Sequence, residues 1–399
     1  MSSAASSISI HRESRPRIAV IGGGVIGLGI GWRLAAAGCA VDLFERGAAG
    51  HAASWAAAGM LAAGVETEPG EIPLLALTRE SQRRWPAFAE ELRDASGIDV
   101  ELRTEGTLEL ALTGDDLRQL RFSYEFQRSL GIALEWLTPA KARRREPHLG
   151  ASLAGAVLSP GDHQVNNRRL VEALAAAFAR AGGRLHENEA VTAVEITGAR
   201  AGGVRLSDRI HAADVVVLAA GAWSREISGI PPEARPPVRP VKGQLLALRM
   251  DRASPLVAHV IWAPGVYLVP RLDGRLILGA TVEERGFDPS LTAGGALSLL
   301  EAAWRALPAI DELPIDEMWV GFRPGSPDDA PVLGPSPVEG LVLATGHHRN
   351  GILLTPVTAD EVSRSILDGG PSATIRPFSI TRFNKQARQS HDHRAAQRV

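Results

Sequence analysis

The first apolar block of the chain is short and ends in glycine. Ile18-Ala19-Val20-Ile21 has no polar break, as expected of a strand buried on both faces. Gly22-Gly23-Gly24-Val25-Ile26-Gly27 then opens a helical stretch through Ala37 that Gly38 closes. Ala40-Val41-Asp42-Leu43-Phe44-Glu45 predicts a second buried parallel strand. Beyond it, Glu80 to Ser96 has the spacing of an amphipathic helix. Leu108 to Leu112 alternates with a period near two, and Asp115 to Leu130 predicts a helix stopped by Gly131. Asn166 or Asn167 caps a helix that runs to Arg180 and ends at Gly182-Gly183, with short strands following around Val191 to Ile196.

The second half opens with another fully apolar strand, Val215-Val216-Val217-Leu218, running into the small-residue turn Ala219-Ala220-Gly221-Ala222 before Trp223. A stiff proline-rich crossing from Ile230 to Pro240 leads to antiparallel strands between Gln244 and Val282. The clearest is Leu276 to Thr281, entered through Asp273-Gly274. Leu297 to Leu307 reads as helix and Leu341 to Thr345 as strand. A last helix to about Leu367 must start close to Gly351, because Pro356 is tolerated only in a first turn.

This order predicts an α/β protein: a Rossmann-like lobe on a parallel sheet, with an α+β second lobe on a mostly antiparallel sheet. At 399 residues the chain exceeds what a single core of about 250 to 300 residues supports. The expected division gives residues 16–80, 150–228 and 328–370 to the first lobe and 81–149 and 229–327 to the second, with a Ser-rich leader over 1–15 and a frayed polar tail over 380–399.

The amino-terminal unit carries chemistry. Gly22 permits a tight turn off the strand, Gly24 lets backbone amides approach a pyrophosphate, and Gly27 lets the helix pack closely on the sheet, so the unpaired amides at the helix start face an anion. Glu45 stands about twenty residues on, where a carboxylate accepts from ribose hydroxyls. An acid there argues against a 2′-phosphate. The spacing predicts a bound dinucleotide. Ser54 to Gly64 is built of very small side chains, and it either lies flat against a planar ligand, packs as a tight helix face or forms a plain loop.

Composition narrows the classes. A net charge of -2 offers no footprint for nucleic acid or an anionic membrane, no apolar run spans a bilayer, and the leader lacks an apolar core, all of which points to the cytoplasm. Cys39 is the single cysteine, so no intramolecular disulfide forms. It reads as a small buried side chain. The only adjacent histidines, His347 and His348, make a poor chelate, and no metal site is expected.

Several segments carry a more specific resemblance: the glycine fingerprint with Glu45, Ala56 to Leu61, Val241-Lys242-Gly243-Gln244, Tyr267-Leu268-Val269-Pro270-Arg271, Gly321-Phe322-Arg323-Pro324-Gly325, and Gly346 to Leu354. Together these resemble the D-amino-acid oxidase family of flavoproteins, on its branch of glycine oxidases of bacterial thiazole (thiamine) synthesis, in matching order over about residues 16 to 370. The resemblance implies FAD bound without a covalent link. It also implies oxidation of glycine, or of a small amine or D-amino acid such as sarcosine or D-alanine, to an imine by hydride transfer to flavin N5, with oxygen reduced to hydrogen peroxide.

The family pattern assigns Arg323 and Tyr267 to the substrate carboxylate and Arg349 to a second pocket arginine whose partner is open. Arg323 suits the task because a guanidinium grips a carboxylate through two parallel hydrogen bonds. Toward the cofactor the resemblance implies Gly22, Gly24, Val25, Ile26, Gly27, Glu45, Arg46, Ser54, Ala57, Ala58, Gly59, Met60, Ala220, Gly221, Trp223, Arg323 and His348. Amides from Arg349 through Asn350, Gly351 and Ile352 to Leu353 are expected at the flavin N1 and O2. Val191 matches a position beside the adenine and reads equally as a core valine. His348 stands where relatives often carry an aromatic, and Val282 where they carry a larger side chain, so the choice among small amines stays open. A D-amino-acid dehydrogenase, a sarcosine-oxidase-like enzyme and a flavin-binding protein without turnover are the rival readings. The family also implies a homo-oligomer, with tetramers common.

Overall fold

The computed structural model describes residues 15–383; the leader up to residue 14 and the tail from residue 384 lie outside the described residues. The apolar run at the start forms the strand Arg17–Ile21. It pairs in parallel with Ala40–Phe44 on one side and Val215–Leu218 on the other, inside a six-stranded sheet completed by Arg184–His186, Leu341–Thr345 and the antiparallel edge strand Val332–Pro335. The helix Val25–Ala36 packs on one face, together with Asn167–Arg180, which Asn166 caps, and Thr355–Leu367, which carries Pro356 in its first turn as expected. A small antiparallel sheet, Ala193–Thr197 with Arg200–Arg205 and Ile210–Ala212, covers the other face around Val194, Val204, Val216 and Leu343.

An eight-stranded sheet forms the second half. Its order runs Ile315–Gly325, Arg239–Arg249, Arg275–Gly279, Val266–Pro270, Val260–Ala263, Thr107–Ala111, Gly155–Ser159, Glu135–Leu137. All its pairings are antiparallel except that between Val260–Ala263 and Thr107–Ala111. The fold class is therefore the one expected. No helix among the described residues is long and apolar enough to cross a membrane.

Four local expectations need correction. The helix expected from Glu80 begins at Ile72 and ends at Ser96. It packs against the parallel-sheet core, not the second lobe, because its apolar stripe of Leu74, Leu77, Trp85, Phe88 and Leu92 meets Trp32 and Phe178. The Trp32 and Phe88 rings lie 5.7 Å apart, edge to face. Gly155–Ser159, on the first-lobe side of the expected boundary, hydrogen-bonds to Thr107–Ala111 in the eight-stranded sheet. The last helix begins at Thr355 and not near Gly351, since a 3₁₀ turn at His348–Asn350 and the bond from Leu354 N to the Asn350 carbonyl (2.8 Å) take up the intervening residues. Ile380, in the expected tail, is buried, and Arg382 grips Asp328 with two hydrogen bonds of 2.8 and 2.9 Å.

Candidate active site

A cleft of about 830 Å³ runs from the carboxyl ends of the parallel strands to one face of the eight-stranded sheet. At its first end Gly22 has φ +107°, and a side chain there would meet the Ala219 carbonyl at 2.5 Å. Gly27 is packed so closely that a Cβ would run into the Gly22 carbonyl oxygen. The helix Val25–Ala36 has no capping side chain and no acid in its first turn, so its positive end is left for an anion. The Val25 amide alone is met by a hydroxyl, Ser54 Oγ at 3.0 Å. Glu45 is fixed by the amides of Gly23 (2.8 Å) and Gly47 (3.2 Å). Arg46 lies 3.6 Å over the Trp223 ring at the same end. These groups, a carboxylate on a strand end beside a glycine-walled helix terminus, fit a dinucleotide.

The Ser54 to Gly64 segment resolves into a short helix, Ala53–Ala56, and a two-residue strand, Met60–Leu61, along the cleft wall. It is clamped from behind. Trp319 donates to the Ala56 carbonyl at 3.0 Å, Asn167 to those of Ser54 and Trp55 at 2.9 Å each, and Arg271 to that of Ala58 at 2.6 Å. Arg271 is fully enclosed, and burial with Arg275 nearby brings its guanidinium down to about 9. Arg271 closes the segment Tyr267-Leu268-Val269-Pro270-Arg271, but nothing in the sequence around it assigns it a role. A buried arginine that holds carbonyls of a distant segment leaves no local pattern.

At the other end the sheet itself presents the polar groups. Tyr267 pairs with Gly279, Gly279 with Leu245, and Leu245 with Trp319, so these residues share a face. Arg323 stands two positions and then two more along from Trp319 on that face, in register with Val241. Glycine makes the room: a Cβ on Gly279 would press on the Tyr267 ring at 2.5 Å, and one on Gly243 would meet the Arg323 guanidinium at 2.6 Å. Arg323 donates to the Thr281 carbonyl at 3.2 Å and, more weakly, to that of Lys242 at 3.5 Å. Among the described residues it makes no salt bridge, so its charge faces the cleft without a carboxylate. Burial raises the Tyr267 phenol above its ordinary value against the pull of Arg323 beside it.

Arg349 differs. Its guanidinium donates to Glu66 at 2.8 Å and to Glu71 at 2.6 Å, which supplies the partner left open by the sequence. Burial works against its charge, yet the two carboxylates hold it above the ordinary arginine range. Burial pushes Glu66 up to about 7 in spite of Arg349. His348 has φ +46°, and burial lowers its imidazole to about 4. Of the residues expected at the cofactor or substrate, Gly22, Gly24, Val25, Ile26, Glu45, Arg46, Ser54, Ala57 to Met60, Val191, Ala220, Gly221, Trp223, Tyr267, Arg323, His348, Arg349, Gly351 and Ile352 all line the cleft. Gly27, Asn350 and Leu353 lie behind its wall. The Leu353 carbonyl accepts from Ser81 (2.6 Å) and Trp85 (2.9 Å) on the helix Ile72–Ser96. Val282 lines the cleft mouth and is 72% exposed.

His347 gives the fold a pH response. It is buried, its Nε2 is 3.1 Å from Thr358 Oγ1, and burial holds its imidazole down to about 3. The unfolded chain takes up a proton near pH 6.5 and the native site does not. The stability contribution is thus complete above that pH and is lost as pH falls toward 3. By pH 5.5 this group alone costs about 1 kcal/mol. Urea unfolding at pH 7.5 and 5.5 is expected to show that loss, and His347→Asn to remove it; an identical pH slope in the variant would rule the assignment out.

The family model for FAD dependent oxidoreductases (DAO) matches residues 17–365. A glycine oxidase of Geobacillus kaustophilus is 40% identical over 369 residues, 92% of this chain and 96% of that one. The crystal structure of glycine oxidase from that organism superposes with a TM-score of 0.85 at 38% identity, covering 92% of this chain and 99% of the other. A bifunctional ThiO/ThiG protein of Trichormus variabilis is 36% identical over 93% of this chain, which spans 55% of that longer protein.

Proposed function

The chain belongs to the DAO family of FAD dependent oxidoreductases, and from that premise we propose that it oxidises glycine, or a small amine or D-amino acid such as sarcosine or D-alanine, for the thiazole moiety of thiamine. The observation that carries the substrate class is Arg323: a cleft-facing guanidinium with no carboxylate partner among the described residues, beside the Tyr267 phenol. The residues that would hold FAD are those of the cleft: the uncapped start of the helix Val25–Ala36 would take the pyrophosphate and Glu45 a ribose. Bound there, it would supply the two-electron acceptor for the amine and, on reoxidation by oxygen, peroxide.

This chain's own residues bind and orient. Arg323 grips the amino-acid carboxylate through two charge-assisted hydrogen bonds, Tyr267 donates a third, and the substrate's Cα hydrogen is thereby held in one orientation. The apolar wall from Ala56 to Met60 keeps water out. Arg349, neutralised by Glu66 and Glu71, holds the neighbouring loop in place instead of competing for the carboxylate. A covalent flavin link through cysteine is disfavoured, since Cys39 is buried in the core behind the first helix and away from the cleft. We assign the lobes as the two sheets with their helices, moving Gly155–Ser159 to the second and Ile72–Ser96 to the first.

The test is direct. Anaerobic glycine is expected to bleach the yellow protein and air to restore it with one peroxide per turnover; bleaching without peroxide would indicate a dehydrogenase that uses another acceptor. Acid precipitation is expected to release all the flavin. A protein that holds flavin but is reduced by none of glycine, sarcosine and D-alanine would overturn the proposal.

A further inference from the structure

The row of side chains that carries Tyr267 continues across the sheet in the other direction. Tyr267 pairs with Trp262, and Trp262 with Glu109 on Thr107–Ala111. All three therefore stand on one face, and all three line the cleft. Two strand spacings separate Glu109 from Tyr267, roughly 10 Å along the sheet. The Trp262 ring lies between them, 5.9 Å from that of Tyr267. The helix Gly114–Ser129 closes the far side with Gln119, Phe122 and Phe126, and Phe122 is more than half exposed.

Glu109 is unusual in this setting. Its Oε2 is buried and has no hydrogen-bond partner, and among the described residues no lysine or arginine pairs with it. A buried carboxylate oxygen left unpaired is costly, and such groups in a cleft are satisfied by what enters it. Trp262, paired with Glu109 on the neighbouring strand, and the cleft-lining Phe126 suit a cation by their quadrupoles. Burial and the nearby Asp162 push the carboxyl up to about 7, and a cation brought against it would draw that value back down. Of the other carboxylates lining the cleft, Glu66 is already taken by Arg349, Glu45 by the amides of Gly23 and Gly47, and Glu68 is exposed.

We propose that Glu109 forms a distal cation subsite, so that the enzyme prefers small D-amino acids carrying a second ammonium group, of the length of D-ornithine or D-lysine. This rests on the reading that Arg323 and Tyr267 hold the substrate carboxylate. With that end fixed, a chain of three or four methylenes brings the distal ammonium across Trp262 toward Glu109, while neutral chains of the same length leave the carboxyl unpaired.

The holoenzyme is assayed for peroxide with D-lysine against D-norleucine and D-ornithine against D-norvaline, with glycine as reference. The expected kcat/KM ratio favours the cationic member of each pair by about tenfold or more, the size of one charge-assisted hydrogen bond, and Glu109→Gln brings both ratios toward one. Glycine turnover with wild-type ratios of one or below would overturn the subsite and leave the carboxylate reading standing. Failure of glycine itself to reduce the flavin would overturn both. Ratios that survive in a folded, yellow Glu109→Gln would also overturn the subsite, and if that variant does not fold the wild-type ratios alone decide.

Discussion

Arg323→Ala is expected to keep its flavin and to lose about a hundredfold to a few thousandfold in kcat/KM for glycine. Two hydrogen bonds from a guanidinium to a carboxylate contribute roughly 3 to 5 kcal/mol together, and every 1.4 kcal/mol is about tenfold in rate. The full loss is expected because nothing replaces the charge: Tyr267 is neutral at working pH, with its phenol raised by burial, and Arg349 is tied to Glu66 and Glu71. Arg323→Lys is expected to recover little, since an ammonium offers a point charge where the strand presents a fork. Stopped-flow flavin reduction across a glycine series measures the effect. A yellow Arg323→Ala protein within tenfold of wild type would show that the carboxylate is held elsewhere.

Gly27→Ala is expected to give a colourless protein. Its Cβ would be forced into the Gly22 carbonyl oxygen, a backbone atom on a turn already fixed at φ +107°, so the helix must retreat from the strand that feeds it. Overpacking of this kind costs about 1 to 3 kcal/mol of fold stability, and displacement of the helix start removes the amides that a pyrophosphate needs. The ratio of flavin to protein absorbance reads the binding loss and urea unfolding the stability loss. Gly351→Val is the informative contrast. Gly351 has φ -59°, and the nearest atom to an added Cβ is His347 Cβ at 3.8 Å, so the backbone and the space at the first added carbon both admit a side chain. Flavin lost from that variant would report contact with the cofactor alone. Full flavin in Gly27→Ala would refute the close-packing argument.

Much of the site was legible in the sequence because dinucleotide binding is a local problem. Turn, helix start and strand-end acid lie within 29 residues, from Arg17 to Glu45, and each residue type answers a separate steric or electrostatic need. Arg323 and Tyr267 were found through flanking motifs, and the glycines in those motifs explain the spacing: Gly243 and Gly279 vacate the sheet face that the two side chains occupy. Arg271, Glu66 and Glu109 were not legible. Arg271 serves carbonyls contributed by Ala58 and Val165, more than a hundred residues away in sequence. Glu109 is one charged position in an otherwise ordinary alternating strand.

The sequence by itself determined the elements whose signal is carried by neighbours in the chain: the βαβ start, the capped helices, the apolar strands and the turns at Gly38, Gly131 and Gly182. Tertiary structure alone decided which core each amphipathic element joins. The stripe on Ile72–Ser96 specifies that one face must be buried, and both cores could bury it; complementarity with Trp32 and Phe178 selects the parallel-sheet side. It also decided that Arg349 is paired and that Arg323 meets no carboxylate among the described residues, because an arginine's charge is the same in any sequence and its availability depends on which carboxylates the fold brings within reach.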